Sequence, residues 1–247
     1  MARLCLTLLL ALIAAPAARP DEVTDLRDRV LKAAARDPAA IQKFKGFALK
    51  AKGTSLLGPE PAAGSFELVA VYPGKLKVSW AFGTGDARTA VSVCASDDKG
   101  WRSQSGAPTR DMTVEELNDL RTDTYGVFAS TLLTLTEPET KLSLGGRSKV
   151  DGEPVVGLKL SRRPFPEVSL YFDEKTYLLR KMAYKGRENG VIVSKEMVFG
   201  GHKEVGGLML PTTQSTRAQG EEKYNLAEIE FTFPVQLDLR TFDKPSK

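Results

Sequence analysis

Apolar and polar residues recur along this chain with two different periods, and the switch between them lays out the expected elements. Val23, Leu26, Val30, Leu31 and Ala34 fall at helical spacing with charges between them. Asp37-Pro38 then places a capping side chain before a proline at the first helical position, where a missing N–H costs nothing. Gly46 is a stop for that second short helix. Beyond it the period falls to two. Lys45 to Leu57 reads as a strand ending at Gly58-Pro59, and Glu60 to Ser65, rich in proline, alanine and glycine, reads as a loop. Phe66, Leu68, Ala70 and Tyr72 alternate up to a turn at Pro73-Gly74. Leu76, Val78, Trp80 and Phe82 then share one face while Lys75, Lys77 and Ser79 share the other, the signature of a half-buried strand. Thr89, Val91 and Val93 continue the alternation, and Asp97 to Gly100 turns the chain into Trp101.

One longer helix interrupts the strands. Thr113-Val114-Glu115-Glu116 is a capping box, in which hydroxyl and carboxylate each satisfy an orphan backbone N–H. Val114, Leu117, Leu120, Phe128, Leu132 and Leu135 supply its apolar stripe, Gly126 is a candidate break, and Pro138 ends it. Strands resume around the Asp151-Gly152 turn, a pair that tolerates positive φ. Val156, Leu158 and Leu160 follow, then Val168, Leu170 and Phe172, then Tyr177 to Tyr184 and Val191 to Phe199. Near the end, Ala227, Ile229, Phe231 and Phe233 are expected inward against Glu228, Glu230 and Thr232 outward. Short turns rather than helices join the strands, which predicts a mainly antiparallel sheet in a mainly β, α+β chain.

The first seventeen residues stand apart. Arg3 precedes an almost unbroken apolar run from Leu4 to Ala15, and Ala15-Pro16-Ala17 offers small residues where a signal peptidase reads. The expectation is a signal peptide over 1–17 and a periplasmic or cell-envelope location, with an uncleaved anchor as the rival reading. Cys5 lies at the front of the apolar run rather than after it, so this is not a lipoprotein signal. Cleavage leaves Cys94 as the only thiol, and stability must come from an ordinary core. Residues 18–247 are expected to form a single domain, with N-terminal helices over 22–45 and the sheet plus its helix over 46–245.

Composition narrows the function classes. The chain is 42% hydrophobic and 27% charged, which is ordinary globular usage. Its net charge of +4 is small, and no run of Lys or Arg exceeds two residues, so nothing gathers the basic face that a nucleic-acid partner needs. His202 is the only histidine and lies in a Gly200-to-Lys203 turn, expected exposed, so a metal site is not expected. Cys94 and His202 could in principle act as nucleophile and base, but a cysteine inside an alternating strand reads as buried and inert. Gly83 to Arg88 has Arg88 where a dinucleotide fingerprint needs glycine, and Gly146 to Val150 lacks the last glycine of a nucleophile elbow. The acid pairs Asp97-Asp98 and Glu221-Glu222 are adjacent residues whose side chains diverge on a strand. No catalytic residues and no cofactor are expected.

Five segments carry a resemblance. They are Ser96 to Trp101, Val150 to Pro154, Ser169 to Asp173, Glu204 to Thr212 and Phe242 to Pro245. Their order and spacing resemble the outer-membrane lipoprotein-sorting family, the LolA/LolB-like proteins, and most of all its uncharacterised exported members, although Gly206 stands where those relatives often carry Asp. The resemblance covers Phe44 to Pro245. It implies a strongly curved antiparallel sheet, a half-open β-barrel, with helices covering the concave face. It also implies a non-catalytic carrier whose concavity shelters lipid or lipoprotein acyl chains, with an envelope protein as a further partner. The expected ligand-facing residues are Leu76, Val78, Trp80, Phe82, Phe128, Leu132, Ile229 and Phe231. Against each stands the reading that an inward apolar residue is simply core. The alternative for the whole chain is an envelope interaction or scaffold module with the same fold and a filled cavity.

Overall fold

A computed structural model describes residues 20–85, 88–188, 190–233 and 236–245; the expected signal segment, 1–17, lies outside them. The first helix, α1 (Pro20–Ala34), buries Leu26, Val30 and Ala34, three residues one turn apart. A 3-10 helix follows over Pro38–Lys45, with the Asp37 carboxylate accepting from the Ala39 N–H at 2.9 Å and Ile41 and Phe44 buried. Six strands then run as a meander: β1 (Gly46–Ser55), β2 (Ala62–Val71), β3 (Lys75–Phe82), β4 (Thr89–Ser96), β5 (Lys99–Gln104) and β6 (Ala107–Asp111).

The capping box forms as expected at the start of α2 (Val114–Ser130), with Thr113 and Glu116 satisfying each other's backbone. Two expectations for this helix need correction. It runs unbroken through Gly126, because the helix lies so close to the sheet there that a side chain would meet the Tyr184 ring at 3.2 Å. The break comes instead at Leu132, whose φ of 64° turns the chain into a second 3-10 segment over Leu133–Thr136. Val114, counted in the apolar stripe, is exposed in the first turn.

After this crossing, β7 (Lys141–Val150), β8 (Glu153–Ser161), β9 (Val168–Asp173), β10 (Leu179–Glu188) and β11 (Val191–Gly200) form a second meander. The small hairpin β12 (Lys203–Val205) and β13 (Leu208–Leu210) stands apart from the main sheet. The last strands, β14 (Thr213–Ala218) and β15 (Glu221–Thr232), stitch the two meanders together, β14 pairing with β11 and β15 with β1. The result is one sheet in the order β6-β5-β4-β3-β2-β1-β15-β14-β11-β10-β9-β8-β7, antiparallel at every step. The sheet is open, strongly curved and LolA-like. Register shifts in the β1–β15, β7–β8, β9–β10 and β14–β15 pairs add the local bends that such curvature needs. The chain leaves one edge strand, β6, and returns at the other, β7, so α2 spans the gap between the two edges.

Two further differences have clear causes. Ala62 to Ser65, expected in a loop, belong to β2, because these small residues pair directly with Ser55 to Lys52 of β1. Ala227, expected inward, is exposed, since a bulge at Glu228 (φ 51°) exchanges the faces of β15. Leu226 and Ile229, three residues apart, therefore both point inward. On the opposite face of the sheet, Cys94, Trp101 and the C-terminal Phe242 form a separate small core. The Trp101 indole N–H donates to the Phe242 carbonyl at 3.0 Å.

Candidate functional site: an apolar cavity under the helices

Period two brings Leu76, Val78, Trp80 and Phe82 of β3 to the concave face, beside Phe66 and Leu68 of β2. The bulge in β15 sends Ile229 and Phe231 to the same side, and Leu132, at the left-handed turn after α2, reaches over from above. These side chains do not close on one another. They surround a cavity of about 420 Å³, mostly apolar, between the sheet and the helices. Seven of the eight expected residues line it. Phe128 does not: it is fully buried beside the cavity, edge-to-face with Tyr72 at 5.1 Å and Phe47 at 6.3 Å.

Residues that the pattern did not single out complete the wall. Phe44 packs edge-to-face on Phe47 and on the expected Phe231, and Met197 and Phe199 of β11 join the lining. Polar side chains in the wall include Glu188, His202, Gln214, Thr216 and Lys223, and three others form one hydrogen-bonded set. Asp123 of α2 accepts from the Lys195 ammonium at 2.9 and 3.0 Å and from the Tyr184 hydroxyl at 2.8 Å. Burial, reinforced by the Asp123 charge, holds the Tyr184 hydroxyl well above the usual tyrosine range, so it stays a donor. Sequence offered one signal for Asp123: it lies between Leu120 and Val127 on the same helical stripe.

His202 is not the exposed turn residue expected; it is half-buried in the cavity wall. Burial, with the nearby Arg180 charge, lowers its pKa below the ordinary 6.5, so it is neutral at neutral pH. Cys94 is on the other face of the sheet, where its thiol donates to the Phe242 carbonyl at 3.3 Å and burial pushes its pKa up to about 11. The fold therefore does not bring Cys94 and His202 together. Among the described residues, no group of three or more His, Cys, Asp and Glu side chains is placed to hold a metal.

The strongly curved antiparallel sheet has counterparts among solved structures. An outer membrane lipoprotein-sorting protein domain from Vibrio parahaemolyticus matches with a TM-score of 0.55 at 12% identity, covering 90% of this chain and 97% of that one. A LolA superfamily protein from Nitrosomonas europaea matches with a TM-score of 0.55 at 11% identity over the same shares. A DUF1329 family protein from Desulfovibrio piger matches with 0.53 at 15% identity, again over 90% and 97%. No protein-family model and no curated protein matches the sequence. The chain has the LolA-like fold.

Proposed function

We propose that this chain is an exported, non-catalytic, carrier-like binding protein of the cell envelope that shelters acyl chains in its apolar cavity. The observation that carries this reading is the cavity itself. At about 420 Å³ it falls within the roughly 300–1,000 Å³ of ordinary ligand sites, and its wall is mostly apolar. Each methylene moved from water into such a wall gains about 0.8 kcal/mol, so a chain of ordinary length is held firmly. A scaffold that used the same fold with a solid interior would have no reason to keep Trp80, Phe66 and Phe231 only partly covered. The fold shared with a lipoprotein-sorting domain supports the same reading. The contact residues are Leu76, Val78, Trp80, Phe82, Leu132, Ile229 and Phe231. In this reading residues 18–247 act as a single domain, and a membrane or an envelope protein receives the guest.

Native mass spectrometry of protein purified from the cell envelope without detergent tests the proposal. The expected spectrum carries a lipid-sized mass on part of the population, and delipidated protein regains it from added vesicles. A uniformly bare protein that also ignores the vesicles would count decisively against a carrier.

A further inference from the structure

The cavity wall changes character where α2 crosses β10 and β11. There the Lys195 ammonium and the Tyr184 hydroxyl both donate to the Asp123 carboxylate, and Glu188 stands 3.8 Å from the same ammonium. The two charges of the central pair are unequally covered. The Lys195 side chain is 12% exposed and that of Asp123 is 34% exposed, so the cation lies deeper in the wall than its partner. Asp123 can turn toward water by rotating its own side chain on the helix surface. Lys195 is the more covered of the two, and a partly desolvated ammonium that loses its main partner is destabilised. A guest that takes Asp123's place restores the lost hydrogen bonds best if it brings negative charge of its own. A neutral head would leave the ammonium with Glu188 alone, 3.8 Å away, and a cationic head would repel it at close range.

Size limits the guest from the other side. The cavity's 420 Å³ lies toward the lower end of the roughly 300–1,000 Å³ span for ligand pockets, room for one chain rather than several. Resting on the carrier reading above, we propose that the guest is a single-chain amphiphile with an anionic group at the end of its chain, received by Lys195. The carboxylate of a free fatty acid and the phosphate of a lysophospholipid share that chemistry. In the bound state Asp123 gives up Lys195 and the Tyr184 hydroxyl turns its donor to the guest's anion.

Competition against an apolar fluorescent dye tests this, with palmitate, a lysophospholipid, monopalmitoylglycerol and a dipalmitoyl phospholipid as competitors. Palmitate and the lysophospholipid are expected to bind about tenfold or more tighter than monopalmitoylglycerol, the scale of a charge-assisted hydrogen bond, with the two-chain lipid weakest. Lys195→Met is expected to abolish the palmitate-to-monopalmitoylglycerol ratio, and Lys195→Arg to preserve it, which separates a lost charge from a damaged fold. Asp123→Asn is expected to tighten palmitate binding, because it removes the competing carboxylate. Equal binding of palmitate and monopalmitoylglycerol would overturn the proposal while leaving the carrier reading intact. So would an Asp123→Asn variant that keeps the wild-type thermal midpoint and yet weakens palmitate alongside Lys195→Met. If neither the dye nor any competitor binds, the carrier reading itself fails.

Discussion

The two halves of the concave face are built from the same kind of alternating strand and end up differently. Across β8, β9 and β10, Leu158, Leu160, Val168, Leu170, Phe172 and Met182 are completely buried, with α1 against β7 and β8 and α2 against β9 and β10. Across β1 to β3 and β15, Leu76 and Ile229 are nearly as covered, but Phe66, Trp80 and Phe231 stay partly uncovered around the cavity. The cause lies in the helices, not in the strands. Gly126 lets α2 approach Tyr184 and Met182 closely, so the helix settles over β10, while its Leu120 and Val127 border the cavity. Hydrophobic patterning of a strand thus shows which face is inward, whereas the place where a helix lands decides whether that face becomes core or cavity.

Paired truncations break this comparison most directly. Phe172→Ala is expected to cost about 3–5 kcal/mol, because it opens a void in a packed site. Phe231→Ala is expected to cost only about 1–2 kcal/mol, since its neighbours already border open space. Urea denaturation of both variants reads the difference, and equal losses would mean that the second half is as solid as the first. The face opposite the cavity supplies a third environment. Cys94, buried with its pKa near 11, is expected to resist iodoacetamide at neutral pH until the protein unfolds, in chains lacking residues 1–17. Modification of the native protein at the rate of a free thiol would contradict that burial.

His202 sharpens the comparison at the cavity wall. Its folded-state pKa is depressed, so as pH falls through 6.5 the unfolded chain takes up a proton before the native one. Its contribution is fully present above pH 6.5 and is lost as pH falls toward the lower folded value. His202→Gln is expected to flatten that part of the stability-versus-pH curve, measured as thermal midpoints on either side of pH 6.5. The smallest effect is reserved for the helix start. Arg110, donating to Glu116 at 2.6 and 2.8 Å, and the capped Thr113 N–H hold the Glu116 carboxyl at about 2 rather than 4.5. That stability is present above pH 4.5 and disappears as pH falls through about 2. The pair is partly exposed, so Glu116→Gln is expected to cost under about 1 kcal/mol near neutral pH, read by denaturant titration.

These contrasts also explain what was legible in the sequence. The strands of Leu76 to Phe82 and Val168 to Phe172 were readable because one face of each is buried and periodicity records burial, and the capping box at Thr113 because its hydrogen bonds are local. The edge strands β6 and β7 left a weaker mark, since they are largely exposed and, beyond Leu142 and Leu144, mostly polar or glycine. The bulge at Glu228 was invisible for another reason: one residue at positive φ exchanges the faces of a strand without altering its composition. In the cavity, the apolar strand positions were legible. The Asp123–Lys195 pair was not, because its members are 72 residues apart and each alone resembles an ordinary solvated charge. His202 was misplaced because a glycine-flanked turn reads as surface, yet the turn folds against β10 and β13.

The chain's two tryptophans sit on opposite faces of the sheet and offer the sharpest probe of whether the cavity takes a guest. Trp80 borders the cavity, and Trp101 is sealed against Phe242 on the other side. Two variants, Trp101→Phe and Trp80→Phe, each retain one of them for titration with a bromine-labelled fatty acid. Saturable quenching of Trp80 with Trp101 left bright is the predicted result. Equal quenching of both, or of neither, would show that acyl chains do not enter the curve of the sheet.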